Sequence, residues 1–102
     1  MVSLSDRTLA LVNKLISKEK RADVITKLEN EVADNLLFME KATPFMLERI
    51  RFAVLKMTGN SPERFKQAIE LAIVDWRDLL VSAEFSNSEE AHDNWAKQKH
   101  DI

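Results

Sequence analysis

The sequence contains no cysteine, a single glycine and two prolines among its 102 residues. The lack of cysteine excludes a disulfide framework and thiol chemistry. With one glycine, the chain can form neither a glycine-rich phosphate loop nor a glycine-flanked serine elbow. No segment approaches the roughly 20 apolar residues that a membrane-spanning helix needs, and we find no signal peptide. We therefore expect a cytoplasmic protein that forms one domain over residues 1–102.

Neither sign of charge dominates, because 15 Lys and Arg are interspersed with 17 Asp and Glu, for a net charge of −2. A nucleic-acid binder usually concentrates Lys and Arg on one face. Contact with nucleic acid is therefore not favoured. The alternative, a regulator that touches nucleic acid, would use Arg49, Arg51 and Arg64.

The clearest local signal is a helical hairpin centred on Gly59. Glycine can adopt the positive φ that ends a helix, because it has no Cβ to clash. Ser61 can then cap the next helix, and Pro62 suits its first position. Thr43 and Pro44 repeat this pattern at the start of the preceding helix. A link this short predicts two antiparallel neighbouring helices, over residues 44–58 and 62–85.

Both helices of the hairpin carry apolar residues on two opposite faces, which predicts either a central position or a face for a partner. The main stripes run through Leu47, Ile50 and Val54 and through Phe65, Ile69, Ala72, Trp76, Leu79 and Ala83. The second faces supply the candidate interaction face, together with two charged residues beside them. Its members are Phe45, Phe52, Leu55, Leu71, Val74, Arg77, Asp78 and Val81.

Three further helices are predicted over residues 5–16, 18–35 and 88–99, with a buried, irregular connection at Leu36-Leu37-Phe38. The expected fold is an all-α, five-helix bundle around the central antiparallel hairpin. The first two helices have one apolar side and should cover one side of the hairpin. The tail, residues 86–102, should form a loosely attached helix, with Trp95 packed on Leu71, Val74 and Val81. The alternative is that part of this second face stays open to another chain.

Few residues suggest chemistry. His92 and His100 are the only histidines, and in a weakly apolar tail we expect both to be solvated and to bind no metal. No pair of carboxylates stands in an evident apolar pocket. We therefore predict no catalytic residue, no cofactor, no small-molecule ligand and no enzyme activity.

The segment Asp75-Trp76-Arg77-Asp78 is the most distinctive polar cluster. Charged groups beside buried surface are usually paired, because an unpaired buried charge is costly. The first interpretation is a lattice of ion pairs in which Arg49 and Arg51 join these acids. The second is a charged rim around an apolar protein-binding face, where Arg and Trp are enriched.

From its second helix onward the chain resembles a group of small bacterial proteins without an assigned activity. The resemblance rests on the segments Asp34-Asn35-Leu36-Leu37-Phe38, Ala42-Thr43-Pro44, Glu48-Arg49-Ile50-Arg51-Phe52-Ala53 and Asp75-Trp76-Arg77-Asp78-Leu79-Leu80-Val81. Similar sequences tend to have Gly-Gly at Gly59-Asn60, a glycine at the position of Glu84, and an end soon after Phe85. The resemblance implies a bacterial, cytosolic, all-α protein, and it supplies no catalytic residue or ligand.

The function that we expect is protein binding without catalysis, with self-association into a dimer as one form of it. An immunity or antitoxin-like protein that blocks a toxin is an alternative by analogy with other small bacterial helical domains. The nucleic-acid-associated regulator is the second alternative.

Overall fold

Two helices joined by a short turn form the centre of the fold. In the computed structural model, which describes residues 1–37, 39, 41–59 and 61–102, α3 spans Pro44–Thr58 and α4 spans Pro62–Ser82. The side chains of Thr43 and Ser61 accept hydrogen bonds from the backbone N–H groups of Met46 and Arg64, and a proline follows each cap. The predicted caps are therefore confirmed, and α3 has the predicted bounds.

The other helices are α1, Asp6–Leu15, α2, Arg21–Glu31, and α5, Ala91–His100, with a 3₁₀ turn at Lys18–Lys20 before α2. All the regular structure in the described part of the chain is helical, as predicted. Helix two was expected to reach residue 35, but Asn35 accepts the Ala33 N–H and donates to the Glu31 carbonyl. This local bonding replaces the last helical turn.

The connection after α2 is irregular, as expected, but it is not buried throughout. Leu36 is buried, whereas Leu37 is 53% exposed. Phe38, the third residue of this apolar run, lies outside the described residues.

The centre of the core is α3, which is buried on nearly every side. Leu47, Ile50, Phe52, Val54 and Leu55 are all at most 2% exposed. α4 and α1 pack against α3, α2 packs against α1 and α4, and α5 packs against α3 and α1. The apolar pattern of α3 on two faces therefore reflects a central helix.

The expected position of the last helix is wrong. The Trp95 ring lies 5.6 Å from the Phe85 ring and 6.3 Å from the Phe52 ring, measured between centroids. It therefore packs on the second face of α3 and not on Leu71, Val74 and Val81 of α4. Phe85 directs the chain to this side, because it is 1% exposed and follows α4 directly.

The end of α4 explains a residue difference noted in the sequence. The Phe85 N–H donates to the Leu80 carbonyl, and the Glu84 N–H donates to the Val81 carbonyl. This is the Schellman pattern of a helix end, in which the residue at the position of Glu84 has a positive φ. Glu84 has a φ of 64°. Glycine suits this conformation better, because it has no Cβ to clash.

Within the described residues, no helix has both the length and the apolar content needed to cross a membrane.

Gly59 and Glu84, two of the positions with a positive φ, predict opposite effects on stability. Gly59 has φ 56° and ψ −131°, a region that is almost closed to residues with a Cβ. Gly59→Ala should therefore lower the free energy of unfolding by about 1–3 kcal/mol. Glu84→Gly should leave it unchanged or raise it by up to about 1 kcal/mol, because relief of backbone strain offsets the added chain entropy.

Urea unfolding of both variants beside the wild type measures these changes. Equal destabilisation by the two substitutions would contradict the backbone conformations described here.

Candidate functional site

The second face of α4 is an exposed apolar strip. Val74 and Val81 are 63% and 58% exposed, and Leu71 is half-buried. Leu71 and Val74 lie three residues apart before the kink at Asp75, and Asp78 and Val81 lie three residues apart after it, so that each pair shares one side of its own helical stretch. We name Leu71, Val74, Arg77, Asp78 and Val81 the α4 outer face.

The other three members of the predicted interaction face lie elsewhere. Phe52 and Leu55 are 0% and 1% exposed, because they belong to the core around α3. Phe45 is 45% exposed, and its ring meets the His92 ring of α5 edge-on at 5.2 Å. The eight residues therefore do not form one surface. Five of the eight lie on α4, and Phe45 lies apart from them beside α5.

The charge around the α4 outer face is mostly negative. Over residues 70–84 the exposed charged side chains are Glu70, Asp75, Arg77, Asp78 and Glu84. Four are acidic and one is basic. The exposed valines of α4 therefore stand among mainly acidic neighbours in the sequence, and Arg64 lines a groove together with Leu71.

Trp76 and Arg77 fix one edge of this surface. The Trp76 Nε1–H donates to the Leu37 carbonyl at 2.8 Å, which ties α4 to the connection after α2. The Arg77 guanidinium lies 5.6 Å from the centroid of the Trp76 ring, within the range of a cation–π contact. Trp76 was predicted to be core, but it is only half-buried.

Asp75 interrupts α4 inside the predicted polar cluster. Its backbone is extended, with φ −157° and ψ 85°, although residues on both sides are helical. Its Oδ1 accepts a hydrogen bond from the Asp78 N–H at 3.2 Å. Asp75 therefore caps the last two turns of α4 as an N-cap residue would. The periodicity of the sequence did not reveal this kink, because the apolar stripe continues across it.

The expected ion-pair lattice is wrong for Arg49 and Arg51. Arg49 donates to the carbonyls of Phe85 and Ser88, and so holds the segment that leads into α5. Arg51 is 3% exposed and donates to the carbonyls of Val2, Ser3 and Val32. Both arginines organise backbone instead of meeting the acids of α4. Burial lowers the pKa of the Arg51 guanidinium, against the opposing effect of Glu29.

His92 was expected to be solvated, and it is fully buried. Its ring lies between phenylalanine rings, with centroids at 5.2 Å for Phe45, 5.5 Å for Phe52 and 6.3 Å for Phe85. Neither ring nitrogen makes a hydrogen bond of normal geometry. Burial lowers the pKa of the His92 imidazole, against Glu48 and Asp93, which raise it. The sequence signal that was missed is the spacing of His92, Trp95 and Ala96 along one side of α5.

A small ionic network lies beside this imidazole. Glu48 Oε2 is 3.9 Å from His92 Nε2, and Glu48 Oε1 accepts a hydrogen bond from the Ser5 hydroxyl at 3.0 Å. Arg7 links Glu48 to Asp93, with N–O distances of 3.5 and 2.6 Å. A hydrogen bond from Lys97 lowers the pKa of the Asp93 carboxyl, and Arg7 acts in the same direction. The network joins α1, α3 and α5.

His100 also departs from the expectation of a solvated side chain. It is half-buried, and its ring meets the Trp95 ring edge-on at 4.8 Å. Burial, and then the positive charge of Lys14, lower the pKa of His100. Lys14 also donates to the His100 carbonyl, which ties the end of α5 to α1.

Two further features concern metal and ligand binding. No three His, Cys, Asp or Glu side chains of the described residues are placed to hold a metal ion. A cavity of about 310 Å³ opens between α1 and the start of α4, with Leu15, Val24 and Phe65 in its wall. The Thr58 hydroxyl at this wall already donates to the Val54 carbonyl.

No protein-family model, curated protein or solved structure matches this chain.

The two aspartates of the α4 cluster should differ in their contribution to stability. Asp75→Ala removes the cap at the kink and should lower the free energy of unfolding by about 0.5–2 kcal/mol. Asp78→Ala, at an exposed position, should change it by no more than about 0.5 kcal/mol. Thermal unfolding followed by circular dichroism measures both. A larger loss for Asp78→Ala would restore the ion-pair interpretation.

Arg51 should contribute strongly to stability because one guanidinium serves three carbonyls. Arg51→Met leaves those carbonyls without their charged donor. Each carbonyl that water cannot reach should then cost about 1–3 kcal/mol of stability. We expect a total loss of about 3 kcal/mol in urea unfolding. Arg64→Met, at an exposed arginine, is the matched control and should cost less than about 0.5 kcal/mol. Similar losses for the two variants would exclude the bonding role of Arg51.

Proposed function

We propose that this protein is a non-catalytic protein-binding module, and that its α4 outer face binds a basic amphipathic segment of another protein. The observation that carries the proposal is the exposure of Val74 and Val81, at 63% and 58%, inside an acidic border. Apolar strips of this kind are a common docking site for an amphipathic helix.

The charge around the strip argues for the chemistry of the partner. Four acidic side chains and one arginine surround or interrupt the apolar residues over residues 70–84. A partner with Lys and Arg beside its own apolar residues would complement this border. The same acidic border disfavours nucleic acid, whose phosphates it would repel.

A second copy of the chain fits the same surface less well. Two α4 outer faces in a symmetric dimer would bring Asp78 and Glu84 of each copy close to the acids of the other. Like charges placed together in an interface weaken it. We therefore favour a different protein as the partner, and self-association is an outcome that the experiment distinguishes.

The absence of catalysis is also part of this proposal. It is supported by the closed environment of His92, whose ring is 0% exposed and therefore out of reach of a substrate. We further propose a bacterial, cytoplasmic protein, as the resemblance of its motifs implies.

The test is affinity capture from native cell lysate with the tagged wild type and three variants. Val74→Glu and Asp78→Lys alter the α4 outer face. Glu19→Lys is the control for Asp78→Lys, because it also replaces an acidic residue by lysine, on the exposed 3₁₀ turn away from α4. A partner that binds this surface should be retained by wild type and by Glu19→Lys, and lost with both α4 variants. All variants should remain folded by circular dichroism, because the substituted side chains are exposed.

Two further readouts complete the test. The recovered partner should contain a basic amphipathic segment, and a synthetic peptide of that segment should bind less tightly as salt is raised. A partner that both α4 variants retain would contradict the proposed surface. Light scattering shows whether the protein is a dimer. A dimer that Val74→Glu converts to a monomer would contradict the proposal that a different protein occupies this surface.

A further inference from the structure

We propose that His92 makes the docking of α5 dependent on pH, so that the neutral imidazole holds α5 on α3 and protonation releases it. The release would uncover the phenylalanine rings beneath α5. This inference concerns the opposite side of the core from the α4 outer face and does not rest on the binding function proposed for that face.

The environment of the imidazole is the first argument. His92 is 0% exposed, and the rings of Phe45, Phe52 and Phe85 lie around it. A protonated imidazole needs two hydrogen-bond acceptors, and neither of its nitrogens has a partner of normal geometry. A charge at this position would therefore lose its hydration, and the Glu48 carboxylate at 3.9 Å would replace it only in part.

The charged groups around His92 only partly oppose this effect. On α3, Glu48 lies 3.9 Å from Nε2 and raises the pKa of His92, whereas the positive charge of Arg49 lowers it. From α5 itself, Asp93 favours the protonated ring, as does the backbone carbonyl of Glu89. From α1, Arg7 pairs with both Glu48 and Asp93, and Lys97 also pairs with Asp93. The carboxylates nearest the ring are shared with Arg7 and Lys97, and burial is the largest influence on the imidazole.

The attachment of α5 is the second argument. This helix has ten residues, and only His92 and Ala96 of them are buried. Trp95 is half-buried against Phe52 and Phe85, Ala91 and Ile102 are partly buried against the core, and polar ties run from Arg7 to Asp93 and from Lys14 to the His100 carbonyl. One of the two buried residues of α5 is thus titratable. A change in its charge acts on a large part of the docking energy.

The direction of the effect follows from the two states. In the released state His92 is solvated and titrates near its ordinary pKa of about 6.5. In the docked state burial lowers the pKa of His92. The released state therefore binds the proton more tightly, and lower pH favours release. The equilibrium constant for release should rise by up to about tenfold per pH unit below 6.5, until the docked pKa is reached.

The experiment is hydrogen exchange of the full chain, measured residue by residue by NMR at pH 7.5, 6.5 and 5.5. Protection factors corrected for the intrinsic pH dependence of exchange compare the amides of α5 with those of α3. The carboxylates stay largely ionised over this range, so that histidine is the main group that titrates. We expect protection in α5 to fall by up to about fivefold between pH 6.5 and 5.5, because half of the released imidazole is already protonated at pH 6.5, while α3 keeps its protection.

Two variants assign the effect to one residue. His92→Phe places an apolar ring in the same aromatic surroundings and should keep α5 docked at every pH. His100→Gln removes the other histidine of α5 and should retain most of the pH dependence. The proposal is overturned by α5 protection that does not change with pH in the wild type, by an unchanged pH dependence in His92→Phe, or by loss of protection in α3 together with α5.

Discussion

The burial of α3 on nearly all sides is the constraint on which the rest of the structure depends. A helix whose apolar residues point in opposite directions must be covered from opposite directions, because exposed apolar surface is costly in water. α4 and α1 cover part of α3, and α5 covers the face that carries Phe52. Since α5 is committed to α3, the second face of α4 remains exposed. The candidate binding surface is thus a consequence of how the core closes.

Closing the core around α3 also buries polar groups. The two main ones, Arg51 and His92, differ in their hydrogen bonding. Arg51 is buried with three backbone carbonyls as acceptors, so that its charge holds the first residues and the end of α2 in place. His92 is buried without such acceptors. A satisfied buried group rigidifies a structure, whereas an unsatisfied one makes its surroundings sensitive to conditions. This contrast makes the middle of α3, at Arg51, a source of stability and places the pH sensitivity beside α5.

The helical fold and the bounds of α3 could be predicted from sequence because local residues determine them. Thr43-Pro44 and Ser61-Pro62 each combine a cap with a proline that suits the first turn. The end of α2 could not be predicted, because the Asn35 side chain competes for backbone groups that a helix would use. The kink at Asp75 was hidden for a similar reason, since one side-chain oxygen replaces a helical bond without disturbing the apolar pattern.

The candidate site was only partly predictable, because α3 and α4 each carry apolar residues on two opposite faces. Which second face becomes covered depends on where the chain turns after α4, and that is decided by the buried contact of Phe85. Periodicity grouped the exposed Val74 and Val81 with Phe52 and Leu55, which are buried in the core. His92 was missed because a histidine in a polar helix counts as a surface residue until its neighbours in space are known.

The position of the Trp95 ring tests this account most directly. Nuclear Overhauser effects from the indole protons can be measured in the unmodified protein, without any substitution. The account predicts cross-peaks from Trp95 to the rings of Phe52 and Phe85, whose centroids lie 6.3 and 5.6 Å away. Cross-peaks from Trp95 to the methyl groups of Val74 or Val81 would contradict it, because α5 would then cover α4 and leave the face of α3 open.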